Sequence, residues 1–246
     1  MVKSYSTYVN FVNKILLYVL TPIASFLIIA GLFKSKVFMN GHGMTLADNI
    51  ALTMGVGGLL IAMGIGMVYV FVDHSTFSAS LSKKSNFIEY IKSSSVGGDY
   101  FRNVVISESI IRIINFMIIG AGLILEIYLF AEHEVSFKSI IKMITFCMIV
   151  GWATTSLIIA IIRHIVGTQT AMIIAYLVLQ AISIGVNVVM AIARENHLKF
   201  ILNNPEIIGI CIFALIGVAS NAYVIWKTNV GIKNWYIDDY GKGKRK

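Results

Sequence analysis

Six apolar stretches, each long enough to cross a bilayer, fill most of this 246-residue chain and leave no room for a soluble catalytic domain. A helix needs about 20 mostly apolar residues to span a hydrocarbon core of about 30 Å. The stretches lie near 15–33, 50–72, 104–130, 140–162, 171–193 and 207–226. The third is long enough to tilt or to extend beyond the membrane. The expected fold is therefore an all-α integral membrane protein with six transmembrane helices.

Composition agrees: hydrophobic residues make up 57% and charged residues 13%, against roughly 25% charged in a soluble domain. The net charge of +8 is no nucleic-acid signature, because apolar helices interrupt the basic residues and no continuous basic face forms. Cys147 and Cys211 both fall inside expected spans and read as packing residues rather than a disulfide or metal pair. Lys3 and Lys14 precede the first apolar run as they would in a signal peptide. That run is about 19 residues long, however, and shows no small-x-small cleavage motif before Lys34, so it is expected to stay as a span.

The lysines and arginines orient the bundle. With the N-terminus in the cytoplasm, the inner segments hold thirteen of them: Lys3, Lys14, Lys83, Lys84, Lys92, Arg102, Arg163, Lys227, Lys233, Lys242, Lys244, Arg245 and Lys246. The outer segments hold six: Lys34, Lys36, Lys138, Lys142, Arg194 and Lys199. Arg112 lies within a span. Both termini are expected inside.

The polar segments also carry patterns. Over 1–14, Tyr5, Tyr8, Val9, Phe11 and Val12 recur at helical intervals, as in an amphipathic helix lying in the inner interface; a frayed end with interfacial tyrosines is the plainer reading. In the second span, Gly58, Ala62 and Gly66 stand four apart, a spacing that lets another helix approach closely. The longest polar loop, 73–103, contains a short amphipathic helix over 86–92, with Phe87, Ile88 and Ile91 on one side. Ser85 or Asn86 can cap its start, and Ser93 to Gly98, closing in a glycine pair, ends it. So short a helix is not stable alone in water; it must rest on the membrane, on its own bundle or in a partner's groove. A further amphipathic stretch, 194–202, precedes Asn203-Asn204-Pro205, a stop signal. The organisation expected is an interfacial helix over 1–14, a six-helix domain over 15–228 and a basic cytoplasmic tail over 229–246. Trp235, Tyr236 and Tyr240 would anchor that tail at the lipid interface.

Glu108 and Arg112 are the sharpest residues. Four apart near the inner end of the third span, they share a helix face and can pair, and Asn115 continues the polar stripe. Charges within a span usually face a protein interior or a wet cavity. The pair is either a cavity wall or moving coupling element, or an ion pair that fixes the helix at the interface. Glu126, near the outer end of the same span, is expected to be interfacial.

Recognisable catalytic machinery is missing. There is no His-Glu-x-x-His run, no Gly-x-Ser-x-Gly elbow and no phosphate-binding Gly-x-x-x-x-Gly-Lys-Ser/Thr loop. His42, His74, His133, His164 and His197 are scattered near span boundaries and suggest no metal site; Asp238 and Asp239 sit unenclosed in the tail. The chain is expected to be no enzyme itself and to bind no cofactor. Spans two, three and five also lack the several buried acids of a proton- or sodium-coupled carrier, so a transporter of this kind would take its energy from another subunit.

This layout resembles the permease subunits of ABC-2-type exporters: an interfacial N-terminal helix, six spans with both ends inside, a cytoplasmic helix between spans two and three, and an outer helix before span six. The resemblance covers nearly the whole chain, on weak motifs. Where the family often has a proline-x-serine turn into span three, this chain has Ser95-Val96-Gly97-Gly98, which leaves the register of the coupling helix open. Size and basic ends are similar to those of permeases exporting amphipathic peptides of the phenol-soluble modulin kind, in the cell membrane of a Gram-positive bacterium. The resemblance implies a second permease chain, identical or related, and cytoplasmic ATP-binding subunits that hold ATP and magnesium. It implies that 86–92 docks into the ATPase through Phe87, Ile88, Glu89, Tyr90 and Lys92. It further implies a conduit lined by spans two and five, with Thr53, Met54, Met63, Met67, Gln180, Ser183 and Asn187 as candidates; ordinary helix packing is the competing explanation for each. The alternatives are a non-pumping immunity or sensor protein that binds a peptide or partner, and an intramembrane enzyme or secondary carrier.

Overall fold

The computed structural model describes residues 46–73, 96–130, 136–164 and 205–242, with isolated positions 23, 27, 174, 177, 178, 181 and 185. The described segments form four helices: α1 Leu46–Asp73, α2 Gly97–Phe130, α3 Phe137–His164 and α4 Pro205–Lys242. Three hold stretches long and apolar enough to cross a membrane, namely Gly97–Leu129, Phe137–His164 and Ile207–Ile232, and α1 contributes the apolar run Gly57–Val70. Apart from those isolated positions, the first and fifth expected spans lie outside the described residues, as do the segment 1–14, the short helix expected over 86–92 and the stretch 194–202.

Contacts along the helices fix their directions. A side chain on Gly58 would meet Cys147 and Ile144, and one on Gly66 would meet Thr155, so α1 runs parallel to α3. Gly209 faces Phe146 and Gly217 faces Trp152, so α4 is parallel to α3 as well. Gly120 lies against Met148, and Tyr128 meets Phe137 edge-on at 5.2 Å between ring centroids, so α2 runs antiparallel to α3. Asp73, Gly97 and His164 thus share one end of the bundle, here termed the lower end. Because α3 and α4 point the same way, the chain between them returns from the lower end to the upper.

The hub is α3. Its most apolar window is 78% buried, against 22% for that of α4. In a lipid environment burial of apolar area does not itself drive helices together, so close packing must. Small residues supply it: a Cβ on Gly151 would stand 2.6 Å from the Ala62 Cβ and 3.0 Å from the Ala62 carbonyl oxygen. Gly151→Ala should therefore push α1 off α3 and destabilise the bundle by about 1–3 kcal/mol, visible as a lowered melting temperature in mild detergent. An unchanged melting temperature would mean that α1 is not seated there. Four buried hydroxyls are satisfied within their own helices: Ser109, Thr155, Ser220 and Thr228 each donate to the carbonyl four residues back, at 2.7–3.1 Å.

Three boundaries differ from expectation. Gly97 and Gly98, expected within the loop 73–103, are instead buried in the first turn of α2, whose Tyr100 amide donates to the Val96 carbonyl at 3.0 Å. Pro205 opens α4, where its missing N–H costs no helical bond. The helix then continues to Lys242, so most of the expected tail is helical.

Candidate functional site

Five polar side chains from α2, α3 and α4 converge near the lower end. Glu108 and Arg112, one turn apart on α2, are 2% and 1% exposed. The Arg112 guanidinium donates to Glu108 Oε1 at 2.8 Å, and that of Arg163, in the last turn of α3, donates to Oε2 at 2.7 Å. One carboxylate is thus shared between two guanidiniums, and both its oxygens are used. The second terminal nitrogen of Arg112 donates to Asn221 Oδ1 on α4 at 2.6 Å. Asn221 Nδ2 in turn donates to Ser156 Oγ on α3 at 3.0 Å and to the Gly217 carbonyl at 2.7 Å. The result is a closed polar clasp in which each of the three helices is bonded to the other two.

A second link sits one turn above it. Asn115 Nδ2 donates to the Tyr69 hydroxyl on α1, and the Tyr69 ring stacks on Phe116 with centroids 6.2 Å apart. All four helices are therefore cross-linked by polar groups within two turns of Glu108. Below the clasp, His164 meets Tyr223 edge-on at 5.8 Å, Tyr223 lies 5.9 Å from Trp226, and the Lys227 ammonium stands 5.9 Å from the Trp226 ring centroid. Aromatic and basic side chains of this kind collect at a membrane–water boundary. From Phe137 to His164, α3 rises about 40 Å, the thickness of a bilayer with its headgroups.

The expected Glu108–Arg112 pair is present, and Asn115 does extend its stripe. Arg163, Asn221, Ser156 and Tyr69 were not foreseen as its partners. The pair Asp99–Arg102, at 3.0 Å, is a surface contact at the start of α2. Glu126 is not open to solvent; it is 5% exposed and its buried Oε1 makes no hydrogen bond. Cys147 is buried and Cys211 exposed, and the two form no disulfide. Of the proposed conduit residues, Thr53 and Met54 fall in the first half of α1. Met63 is half-buried and packs beside Val70, Ile158, Ile159 and Ile162, while Met67 is 37% exposed. Gln180, Ser183 and Asn187 lie outside the described residues, as do Phe87, Ile88, Glu89, Tyr90 and Lys92. Among the described residues no three His, Cys, Asp or Glu side chains converge as a metal site would require.

No protein-family model matches the chain, and no curated protein or solved structure matches it.

The chemistry of the clasp is mechanical. Each oxygen of the Glu108 carboxylate accepts from one guanidinium, one on its own helix and one on α3. What it does is fix the relative positions of three helices at one level, with bonds that are strong because the surroundings exclude water.

Proposed function

We propose that this chain is the permease subunit of an ATP-driven exporter of the ABC-2 type, carrying amphipathic peptides out of a Gram-positive cell across its membrane. The observation that carries this reading is the position of the clasp relative to the loop 73–103. Of that stretch, 74–96 joins the lower ends of α1 and α2 while 97–103 belongs to α2, which reaches Glu108 about three turns after Gly97. A push delivered to the loop by a cytoplasmic ATPase would pass along the first turns of α2 into Glu108 and Arg112, and from there to α3 and α4 together. On this reading the lower end is cytoplasmic, the full bundle has six spans with both termini inside, and two permease chains enclose the conduit. ATP and magnesium belong to the partner subunit, and this chain performs no catalysis of its own.

The test is the double variant Phe87→Ala/Tyr90→Ala. Transport should fall by at least about tenfold, as expected if the pair contributes some 1.4 kcal/mol or more of coupling, while the bundle keeps its melting temperature and the ATPase still turns over. Undiminished export by that variant would remove 86–92 as the coupling element.

A further inference from the structure

An apolar cleft of about 440 Å³ opens between α2, α3 and α4 above the clasp, a size typical of small-ligand sites. Ile113, Met117 and Ile124 line it from α2, Thr145 and Trp152 from α3, and Val218 from α4. No charged side chain lines it. Its rim is formed by exposed apolar groups: Met117 is 67% and Val218 59% exposed, and neighbouring Ile118 and Leu125 exceed 60%. From Ile113 to Ile124 the cleft runs about 16 Å along α2, close to the depth of one leaflet's hydrocarbon, half of about 30 Å. On α3 its lining begins some 10 Å below Phe137 and ends near 22 Å, which places it within the upper leaflet rather than across both.

The upper end of the same stripe is basic. Lys138 precedes Thr145 by seven residues and Lys142 precedes it by three, so both share its face of α3. Lys138 is exposed and Lys142 half-buried; Lys142 also interacts within the protein, and its three N–H donors can serve a phosphate as well. Long lysine stems can lie along apolar surface while the ammonium reaches the headgroup layer.

We propose that this cleft holds one acyl chain of an anionic phospholipid whose phosphate rests at Lys138 and Lys142. A hydrocarbon groove of leaflet depth beneath two cations on one helix face matches a lipid's chain and headgroup in order and spacing. The assignment requires only that the bundle lie in a membrane; it does not rest on the chain exporting anything.

The full-length protein in phosphatidylcholine nanodiscs, doped with phosphatidylglycerol bearing a diazirine in one acyl chain, provides the test. After irradiation, adducts should map to the peptides of Met117, Thr145 and Val218 in excess over those on outward-facing Ile212 and Leu215. Lys138→Gln/Lys142→Gln should reduce the cleft adducts about tenfold, since each basic side chain at the surface favours an anionic lipid severalfold, and should leave labelling by diazirine phosphatidylcholine unchanged. Ala121→Phe, at an exposed position lining the cleft, should suppress adducts from either lipid without lowering the melting temperature. Labelling of the cleft no stronger than of Ile212 and Leu215, or indifferent to both variants, would overturn the proposal. So would photo-methionine cross-links from Met117 to another segment of this chain, which would assign the cleft to the protein itself.

Discussion

Glu108→Gln is expected to be among the most damaging single substitutions in the bundle. Glutamine keeps the shape and one acceptor oxygen but removes the negative charge that the Arg112 and Arg163 guanidiniums share, 2.8 and 2.7 Å from it. Those three side chains are 1–3% exposed. Breaking a buried ion pair by removing one partner costs about 3–5 kcal/mol, because the remaining charge is left uncompensated. Here two guanidiniums lose that carboxylate together. The triple replacement Glu108→Leu/Arg112→Met/Arg163→Met should be milder, since all the charges leave together and apolar groups of similar volume fill the space. Denaturant titration of the purified variants in detergent gives the comparison. Losses that simply add from single to triple variant would mean that the three groups do not act as one unit.

The second large effect is expected at Trp152, where α3 meets α4. The side chain is 7% exposed, and the edge of its six-membered ring fills the space that a Cβ on Gly217 would take. Trp152→Ala would remove the surface on which α4 rests and merge the resulting cavity with the cleft beside it. Losses for such truncations run at about 3–5 kcal/mol in proteins; in lipid the lower half of that range applies, because lost packing counts there and transfer of apolar area does not. Trp152→Phe separates size from polarity. The indole Nε1 is buried without a hydrogen-bond partner, so its removal relieves a desolvated donor and should offset part of the lost volume, keeping the net change under about 1.5 kcal/mol. A Phe variant as unstable as the Ala variant would show that the indole N–H matters after all.

How legible these features were in the residues differs between helices and contacts. The apolar runs beginning at 50, 104, 140 and 207 identified α1 to α4, because hydropathy registers the part of a helix that lipid can surround. It did not register where hydrogen bonding stops. The first turns of α2, with Asp99, Arg102 and Asn103, are helical although polar, and α4 continues past Trp226 through Lys227 and Asn234 to Lys242. Such ends extend beyond the hydrocarbon, where backbone geometry persists but composition changes. At the site, Glu108 and Arg112 could be paired from their spacing alone, since four residues bring side chains together on one helix. Arg163 and Asn221 stand 55 and 109 residues from their partners, and no local period encodes a contact between helices. Asn221 did carry one readable signal, an amide in an apolar span, which needs a partner to be tolerated there. Arg163 read as a boundary charge, and its side chain instead turns back into the bundle.

On the proposed reading, this chain is the membrane half of an ATP-driven pump. Purification of the full chain from its native membrane in mild detergent, followed by mass spectrometry and an ATPase assay, tests it most directly. An ATP-binding subunit should co-purify in equal amount, with vanadate-sensitive ATP turnover. Recovery of the chain without any ATPase would contradict it and favour an immunity or sensor protein of the bilayer.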